Sequence, residues 1–268
     1  MEATTMNTLI DKCTQRLLEE SNKLFEISQK ESTVNLIEYK GQEEVKKQND
    51  FVCDLKNQPH AFVLACLMDR QIQAERAWAI PYQIYKEVGS FDIYTLEKQG
   101  LEFYKELFNR KIDGKKLHRF NDTSAEVFYN GICHIIEKYD GKANKIWENN
   151  PSSASVVYRF LEFQGCGIKI ATMATNILAR QFKIKMSDYY SIDISPDVHI
   201  QRVMRRLGFV KKDANIEQII YKARELNPQF PGLIDFALWE IGRNFCKPDF
   251  SKCECDKCFM GEVCPQID

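Results

Sequence analysis

The sequence of 268 residues predicts an all-α protein. Apolar residues recur with the 3.6-residue period of a helix, helix-starting and helix-ending residues flank these segments, and the alternating pattern of strands is scarce. The clearest helix begins after Asp122 and ends before Gly141, with apolar residues at positions 127, 128, 132, 135 and 136. The same reasoning predicts helices at 7–29, 61–78, 101–111, 152–163, 168–182, 197–207, 216–226 and 233–244, with the polar stretch 40–50 as a linker or a solvated helix face.

Composition restricts the class of protein. Hydrophobic residues make up 44% of the chain, which excludes wholesale disorder. No apolar run approaches the roughly 20 residues of a bilayer-spanning helix, and the first 21 residues lack the apolar core of a signal peptide. We therefore expect no membrane partner and an intracellular location: cytoplasm or nucleoid in a prokaryote, nucleus in a eukaryote.

A glycine-containing turn separates two of the predicted helices. Gly165 and Gly167 lie one residue apart, which permits a tight turn with close backbone approach. The amides of such a turn, together with the free N–H groups that begin the next helix, can bind phosphate. On spacing alone, an ordinary helix–helix turn is the favoured interpretation, because glycine-rich turns are common.

A second short segment begins the helix predicted at 197–207. Pro196 suits a helix start, and Asp197 would lie in the first turn, where the helix dipole favours a carboxylate. By itself this arrangement needs no chemistry, and His199 has no catalytic role in this interpretation.

Cysteines are concentrated near the end of the sequence. Five of the ten lie within the last 23 positions. In an intracellular chain such a group favours metal binding over disulfides, and four thiolates suit a tetrahedral zinc or a cubane iron–sulfur cluster. The five are Cys246, Cys253, Cys255, Cys258 and Cys264, of which Cys253 is an alternative to Cys255 as a ligand.

Taken in order, these features resemble the endonuclease III branch of the helix-hairpin-helix DNA glycosylases. That family has a hairpin of the form L-P-G-V-G-x-K-T-A, then D-x-H-V/I-x-R-V, then a four-cysteine iron–sulfur loop. The resemblance covers roughly residues 58–264. The matching residues are Gly165, Gly167, Lys169 and Ala171, then Asp197, His199, Ile200, Arg202 and Val203, then Cys246, Cys255, Cys258 and Cys264.

The resemblance implies a helix-hairpin-helix glycosylase fold with two helical subdomains and a cleft between them. A helical barrel at 58–187 would contain the hairpin 161–171, and a C-terminal subdomain at 188–268 would contain the cluster loop 246–264. The first 50 residues have no counterpart in the family, and we expect residues 1–57 to form an N-terminal helical extension that packs with the C-terminal subdomain. Three further features depart from the family: Gln164 replaces a proline, residues 183–196 form an insertion, and the cysteine spacing is two residues wider or has shifted to Cys253.

The resemblance also implies a base-excision-repair activity. It suggests a DNA glycosylase with abasic-site lyase activity, acting as a monomer on double-stranded DNA that contains a damaged base, by default an oxidised pyrimidine. Lys169 would form a Schiff base with the sugar, and Asp197 would stabilise its positive charge. DNA-binding residues would be Gln71, Gly165, Gly167 and Arg202, and a [4Fe-4S] cluster would be bound by Cys246, Cys255, Cys258 and Cys264, with Cys253 as a possible substitute.

The charged residues are distributed unevenly along the chain. The net charge of −1 provides no global attraction to DNA, but residues 166–213 carry nine basic and four acidic side chains. We interpret this excess as a basic face for phosphates.

The alternative to the enzyme is a non-catalytic iron–sulfur module that binds DNA or senses damage with the same fold. The presence of both Lys169 and Asp197 favours the enzyme.

Overall fold

The computed structural model, which describes residues 2–38, 40–112 and 114–267, confirms the all-α prediction. Within these ranges the only strands are β1 (Lys111–Ile112) and β2 (Lys115–Lys116), which pair antiparallel. A π-helix lies at Ile241–Phe245, and short 3-10 helices lie at Ala143–Ile146, Pro231–Ile234, Phe250–Lys252 and Cys255–Lys257. The α-helices are α1 (Glu2–Lys30), α2 (Glu43–Cys53), α3 (Pro59–Met68), α4 (Ala74–Val88), α5 (Ile93–Glu97), α6 (Gly100–Asn109), α7 (Asn121–Tyr139), α8 (Ser153–Leu161), α9 (Ile168–Arg180), α10 (Val198–Arg206), α11 (Ile216–Leu226) and α12 (Asp235–Glu240).

The chain forms two compact units. Unit 1 comprises Met1–Glu31, Pro151–Val157 and Thr175–Asp268, and unit 2 comprises Ser32–Asn150 and Tyr158–Ala174. Two of the boundaries between the units fall inside α8 and α9, so each of these helices contributes residues to both units. Residues 32–57, which we assigned to an N-terminal extension, belong to unit 2 because α2 packs against α3 and α4.

Unit 2 is organised around α3. All ten residues of this helix are buried, and nine of them are apolar or proline. A helix that is apolar on every face must be surrounded by other elements. Here α2, α4 and α7 pack against it, and the close approach of α7 depends on Gly131, where a Cβ would lie 2.9 Å from Leu67 Cδ1.

The helix predicted at 61–78 is wrong in one respect, because it is interrupted at residues 69–73. Asp69 follows the last residue of α3, and Gln71 has a φ of 54°. A right-handed helix cannot continue through a left-handed residue, so a new helix, α4, begins at Ala74. The interruption places three consecutive polar residues, 69–71, at the end of the most buried helix of the unit.

Unit 1 has a core built on one face of α10. Ile200, Val203 and Met204 pack with apolar residues of α1, α11 and α12. Helix α1 also contacts the cysteine-rich segment, since Cys13 Sγ donates to the Val263 carbonyl at 2.6 Å and Arg16 Nε donates to the Phe259 carbonyl at 3.1 Å. The N-terminal helix therefore supports the segment that carries the clustered cysteines.

Residues 183–196, the segment that the resemblance suggests is an insertion, are held in unit 1 by specific contacts. Asp193 is buried and accepts two hydrogen bonds from Arg224, each 2.8 Å long. The Ile192 carbonyl accepts the Gly232 amide at 2.6 Å. This segment is thus an anchored part of the unit. No helix in the described ranges is long and apolar enough to cross a membrane.

Candidate catalytic and metal sites

The turn between α8 and α9 is shaped by two glycines with different roles. Gly165 has a φ of +79°, and a Cβ there would lie 2.8 Å from Val127 Cγ2. Only glycine fits this position without strain. Gly167 has open space around the position of a Cβ and is exposed. Gly165 is therefore needed to form the turn, whereas Gly167 leaves the backbone open to a ligand.

Gln164, the residue of the turn that precedes Gly165, has a structural partner. Its side-chain Oε1 accepts a hydrogen bond of 2.5 Å from Asn130 Nδ2 on α7. Within the turn, the Cys166 amide donates to the Phe163 carbonyl at 3.0 Å. The first amides of α9 follow directly, and amides at a helix start have no intrahelical acceptor. The turn can therefore offer N–H groups to an anion, as the sequence predicts.

Lys169 is the second residue of α9, and its amine has a charged partner. Lys169 Nζ lies 3.1 Å from Asp69 Oδ2. The lysine side chain is 38% exposed, whereas that of Asp69 is only 9% exposed. Sequence reasoning missed Asp69 because its partner lies 100 residues further along the chain. The available signal was a single carboxylate directly after a wholly buried helix.

Gln71 lies in the same part of unit 2. It is exposed and has the left-handed φ of 54°, which is uncommon for a residue other than glycine. Its neighbour Arg70 places NH1 within 3.5 Å of the position that a Cβ of Gly165 would occupy. Unit 2 therefore brings the turn and the neighbouring Lys169 together with the segment 69–71, whose Asp69 lies 100 residues earlier in the chain than Lys169.

Asp197 belongs to unit 1 and begins α10. Its Oδ1 accepts the amides of His199 at 2.8 Å and Ile200 at 2.9 Å, the geometry of a helix N-cap. This confirms the predicted helix start. The hydrogen bonds engage one carboxylate oxygen and orient the group.

A second carboxylate lies near Asp197. Asp235, the first residue of α12, is partly buried and accepts the Ser195 amide. Burial raises the pKa of Asp235 to about 7, and the negative charge of Asp197 acts in the same direction. Asp235 was not predicted from the sequence.

Arg202 binds other parts of the protein. Its Nε donates to the Cys246 carbonyl at 2.8 Å, and its NH2 donates to the Gly242 carbonyl at 2.7 Å. The guanidinium also lies 3.0 Å from His199 Nδ1. These contacts connect α10 to the start of the cysteine-rich segment. A direct contact of Arg202 with DNA stays a prediction.

The basic segment 166–213 is not a uniform surface. Arg180 stacks on Phe236, with 3.5 Å between guanidinium carbon and ring centroid, and burial lowers its pKa to about 10. Arg206 is buried and donates to the carbonyls of Lys247 and Pro248. Several cations counted in the sequence are therefore used inside unit 1.

The five C-terminal cysteines surround one cavity. Its lining also includes apolar residues of α10 and the segment that follows α12, together with Arg206. The Arg206 NH1 atom lies 3.3 Å from Cys246 Sγ and 3.3 Å from Cys253 Sγ. The lining cysteines are Cys246, Cys253, Cys255, Cys258 and Cys264.

The donor set around the cavity is compatible with an iron–sulfur cluster. Four thiolates can bind a [4Fe-4S] group or a single zinc ion, and five cysteines line this cavity.

Burial and neighbouring charges act on several of these thiols. Burial raises the pKa of Cys258 to about 11, and the charges of Cys264, Cys246 and Cys255 also raise it. Burial likewise raises the pKa of Cys264, with contributions from Cys246 and Cys255. The choice between Cys253 and Cys255 as a ligand stays a prediction.

Comparison with known proteins supports the fold. No family model and no curated protein matches the sequence. A solved complex of endonuclease III with DNA, trapped as a covalent intermediate with an estranged adenine, matches the structure with a TM-score of 0.54 and 16% identity. The match covers 83% of this chain and 96% of that chain. The protein thus has the helical fold of endonuclease III, as the sequence predicts.

Proposed function

We propose that the protein is a DNA glycosylase with abasic-site lyase activity that acts on double-stranded DNA containing a damaged or modified base. The observation that carries the proposal is Lys169, an amine that begins α9 directly after an exposed glycine turn. The fold that holds this amine is the one seen in endonuclease III trapped covalently on DNA. By resemblance, the default substrate is an oxidised pyrimidine.

The proposed chemistry begins with extrusion of the damaged nucleotide, because a stacked base cannot be reached. Breaking the N-glycosidic bond builds positive charge on the sugar, which the carboxylate of Asp197 would stabilise. The neutral amine of Lys169 would attack the sugar's C1′ and form a Schiff base, from which elimination cuts the strand. The proposal thus requires both residues at one sugar.

Backbone and side-chain groups of unit 2 would bind the DNA. The amides around Gly165 and Gly167 would bind a phosphate, as amides at helix starts do. Gln71 is exposed and would occupy the gap that the extruded nucleotide leaves in the duplex. We expect a monomer to suffice.

The proposed cofactor is a [4Fe-4S] cluster bound by Cys246, Cys255, Cys258 and Cys264. The cluster would supply a covalent cross-link that fixes the C-terminal segment, since ligation stabilises the structure around the ligands. Contacts of α1 and Arg202 with this segment hold the surrounding backbone in place.

The proposal can be tested with a panel of duplexes that each contain one damaged base or one abasic site. Strand cleavage is scored before and after treatment with alkali. We expect base removal on at least one damaged duplex and alkali-independent cleavage at abasic sites. Tight binding without base removal or cleavage across the panel would refute the enzyme and favour the non-catalytic binding module.

A further inference from the structure

Asp69 is a charged group in an apolar environment. It follows a helix whose residues are all buried, and its own side chain is only 9% exposed. A buried carboxylate without a cation costs several kcal/mol of folding free energy. The ammonium of Lys169 at 3.1 Å meets this requirement.

The pairing has a consequence for the proposed nucleophile. An amine attacks carbon only in its neutral form, whereas a carboxylate at hydrogen-bond distance favours the ammonium. The same carboxylate, however, is placed to accept the proton that the ammonium must lose. A purely structural ion pair could have used any cation, but this one uses the amine that begins α9 after the glycine turn.

We propose that Asp69 is a positioning residue that holds the Lys169 amine and exchanges a proton with it during catalysis, an inference that rests on the proposed function. In the resting protein, Lys169 is an ammonium paired with the Asp69 carboxylate. When DNA is bound, the proton moves from Nζ to Asp69 Oδ2. The neutral amine then attacks the aldehyde carbon C1′ of an abasic site.

The proton balance closes without another reagent. A C–N bond forms as the C1′–O double bond becomes a hydroxyl, giving a carbinolamine. Asp69 returns its proton as this hydroxyl leaves as water, and the product is a protonated imine on Lys169. The sum is one ammonium and one aldehyde giving one iminium and one water.

Three other titratable groups with shifted pKa values lie around Asp69. His118 has a lowered pKa, mainly because it is buried, and its Nε2 lies 3.0 Å from the Met68 carbonyl. The cations Arg76 and Arg70 also lower the pKa of His118. Burial raises the pKa of Cys166 to about 12 and that of Cys66 well above its usual value, so both stay thiols at neutral pH.

The test uses the full chain and a duplex with one abasic site. Borohydride traps the imine, and the single-turnover trapping rate is measured from pH 5 to pH 9. For Asp69→Asn we expect the maximal rate to fall about tenfold or more, as for loss of a proton-transfer group. We also expect the midpoint of the rising limb of the pH–rate profile to move to lower pH, because the anion that favours the ammonium is gone. Affinity for the duplex should stay within about twofold of wild type, because the Asp69 side chain is buried.

The matched control is Glu162→Gln. Glu162 is a carboxylate in the same turn region that pairs with Lys138 at 3.5 Å. This variant should keep the wild-type midpoint and rate. A maximal rate within twofold of wild type and an unchanged midpoint in Asp69→Asn would overturn the proposal.

Two further variants distinguish a failure of the Asp69 proposal from misfolding and from a failure of the proposed function. If Asp69→Asn does not fold, Asp69→Glu retains the charge but displaces the oxygen by one methylene. The Asp69→Glu variant should keep the midpoint of the pH–rate profile and have a lower trapping rate. A trapping rate equal to that of wild type would overturn the proposal.

Lys169→Ala should trap no DNA. An adduct with that variant, or no adduct with wild type, would overturn the proposed function together with the role of Asp69.

Discussion

Arg202 Nε donates a hydrogen bond of 2.8 Å to the carbonyl of Cys246, so the helix that Asp197 begins is connected directly to the first clustered cysteine. A second bond, from Arg202 NH2 to the Gly242 carbonyl, strengthens the connection. The proposed cluster and the proposed catalytic carboxylate are therefore held by the same helix, α10.

Replacing this arginine should loosen the C-terminal segment. Arg202→Gln removes two charge-assisted hydrogen bonds, together worth about 3 kcal/mol. We expect a lower melting temperature and less iron bound per chain. The control Lys252→Gln removes an exposed cation from the same segment and should change neither. Iron content and melting temperature equal to wild type in Arg202→Gln would contradict this role.

The two central cysteines should differ in their effect on the cofactor. Purified wild-type protein should be brown and contain about four irons per chain. Cys255→Ser should lose most of the iron, because Cys255 and Cys258 form a C-x-x-C pair, which suits two ligands of one cluster. Cys253→Ser should keep it. The reverse pattern would assign Cys253 as the ligand, and a colourless protein with one zinc would exclude the cluster.

Asp235 should make stability depend on pH. Its folded-state pKa of about 7 is raised from 3.8, so the folded state keeps a proton that the unfolded state releases. The contribution is fully present below about pH 4 and is lost as pH rises to about 7, by on the order of 4 kcal/mol. Asp235→Asn should flatten this part of the stability curve, measured by denaturant unfolding at each pH. The exposed Asp249→Asn serves as control, and an unchanged curve in Asp235→Asn would contradict the prediction.

Gln71 should contribute to DNA binding at a cost in backbone strain. Gln71→Gly removes the side chain and relieves the positive φ of 54°, so the free energy of unfolding should rise by about 1 kcal/mol. Affinity for duplex DNA should nevertheless fall about fivefold, a loss of one hydrogen-bonding group. Affinity for an unpaired abasic strand should change less. The exposed Gln15→Ala is the control, and equal losses on both DNA substrates would remove the proposed role in the duplex.

Local patterns predicted most of the helices but not the charged site. The helix predicted at 216–226 is α11, because Asn215 and Gln218 form a capping box that lies within four residues of sequence. The uninterrupted helix predicted at 61–78 is wrong at residues 69–73, where Gln71 has a φ of 54° that no local pattern indicated. Asp69 pairs with Lys169 across 100 residues and Asp235 contacts Ser195 across 40. No periodicity or spacing encodes such pairs.

The most direct test of the central claim is to identify the residue that becomes attached to DNA. Wild-type protein is trapped with borohydride on an abasic duplex, digested, and analysed by mass spectrometry. The proposed function predicts the adduct on the peptide that contains Lys169, and no adduct with Lys169→Ala, which should still bind the duplex. An adduct on another amine, or no adduct with a protein that binds the duplex, would contradict the assignment of Lys169 as the nucleophile.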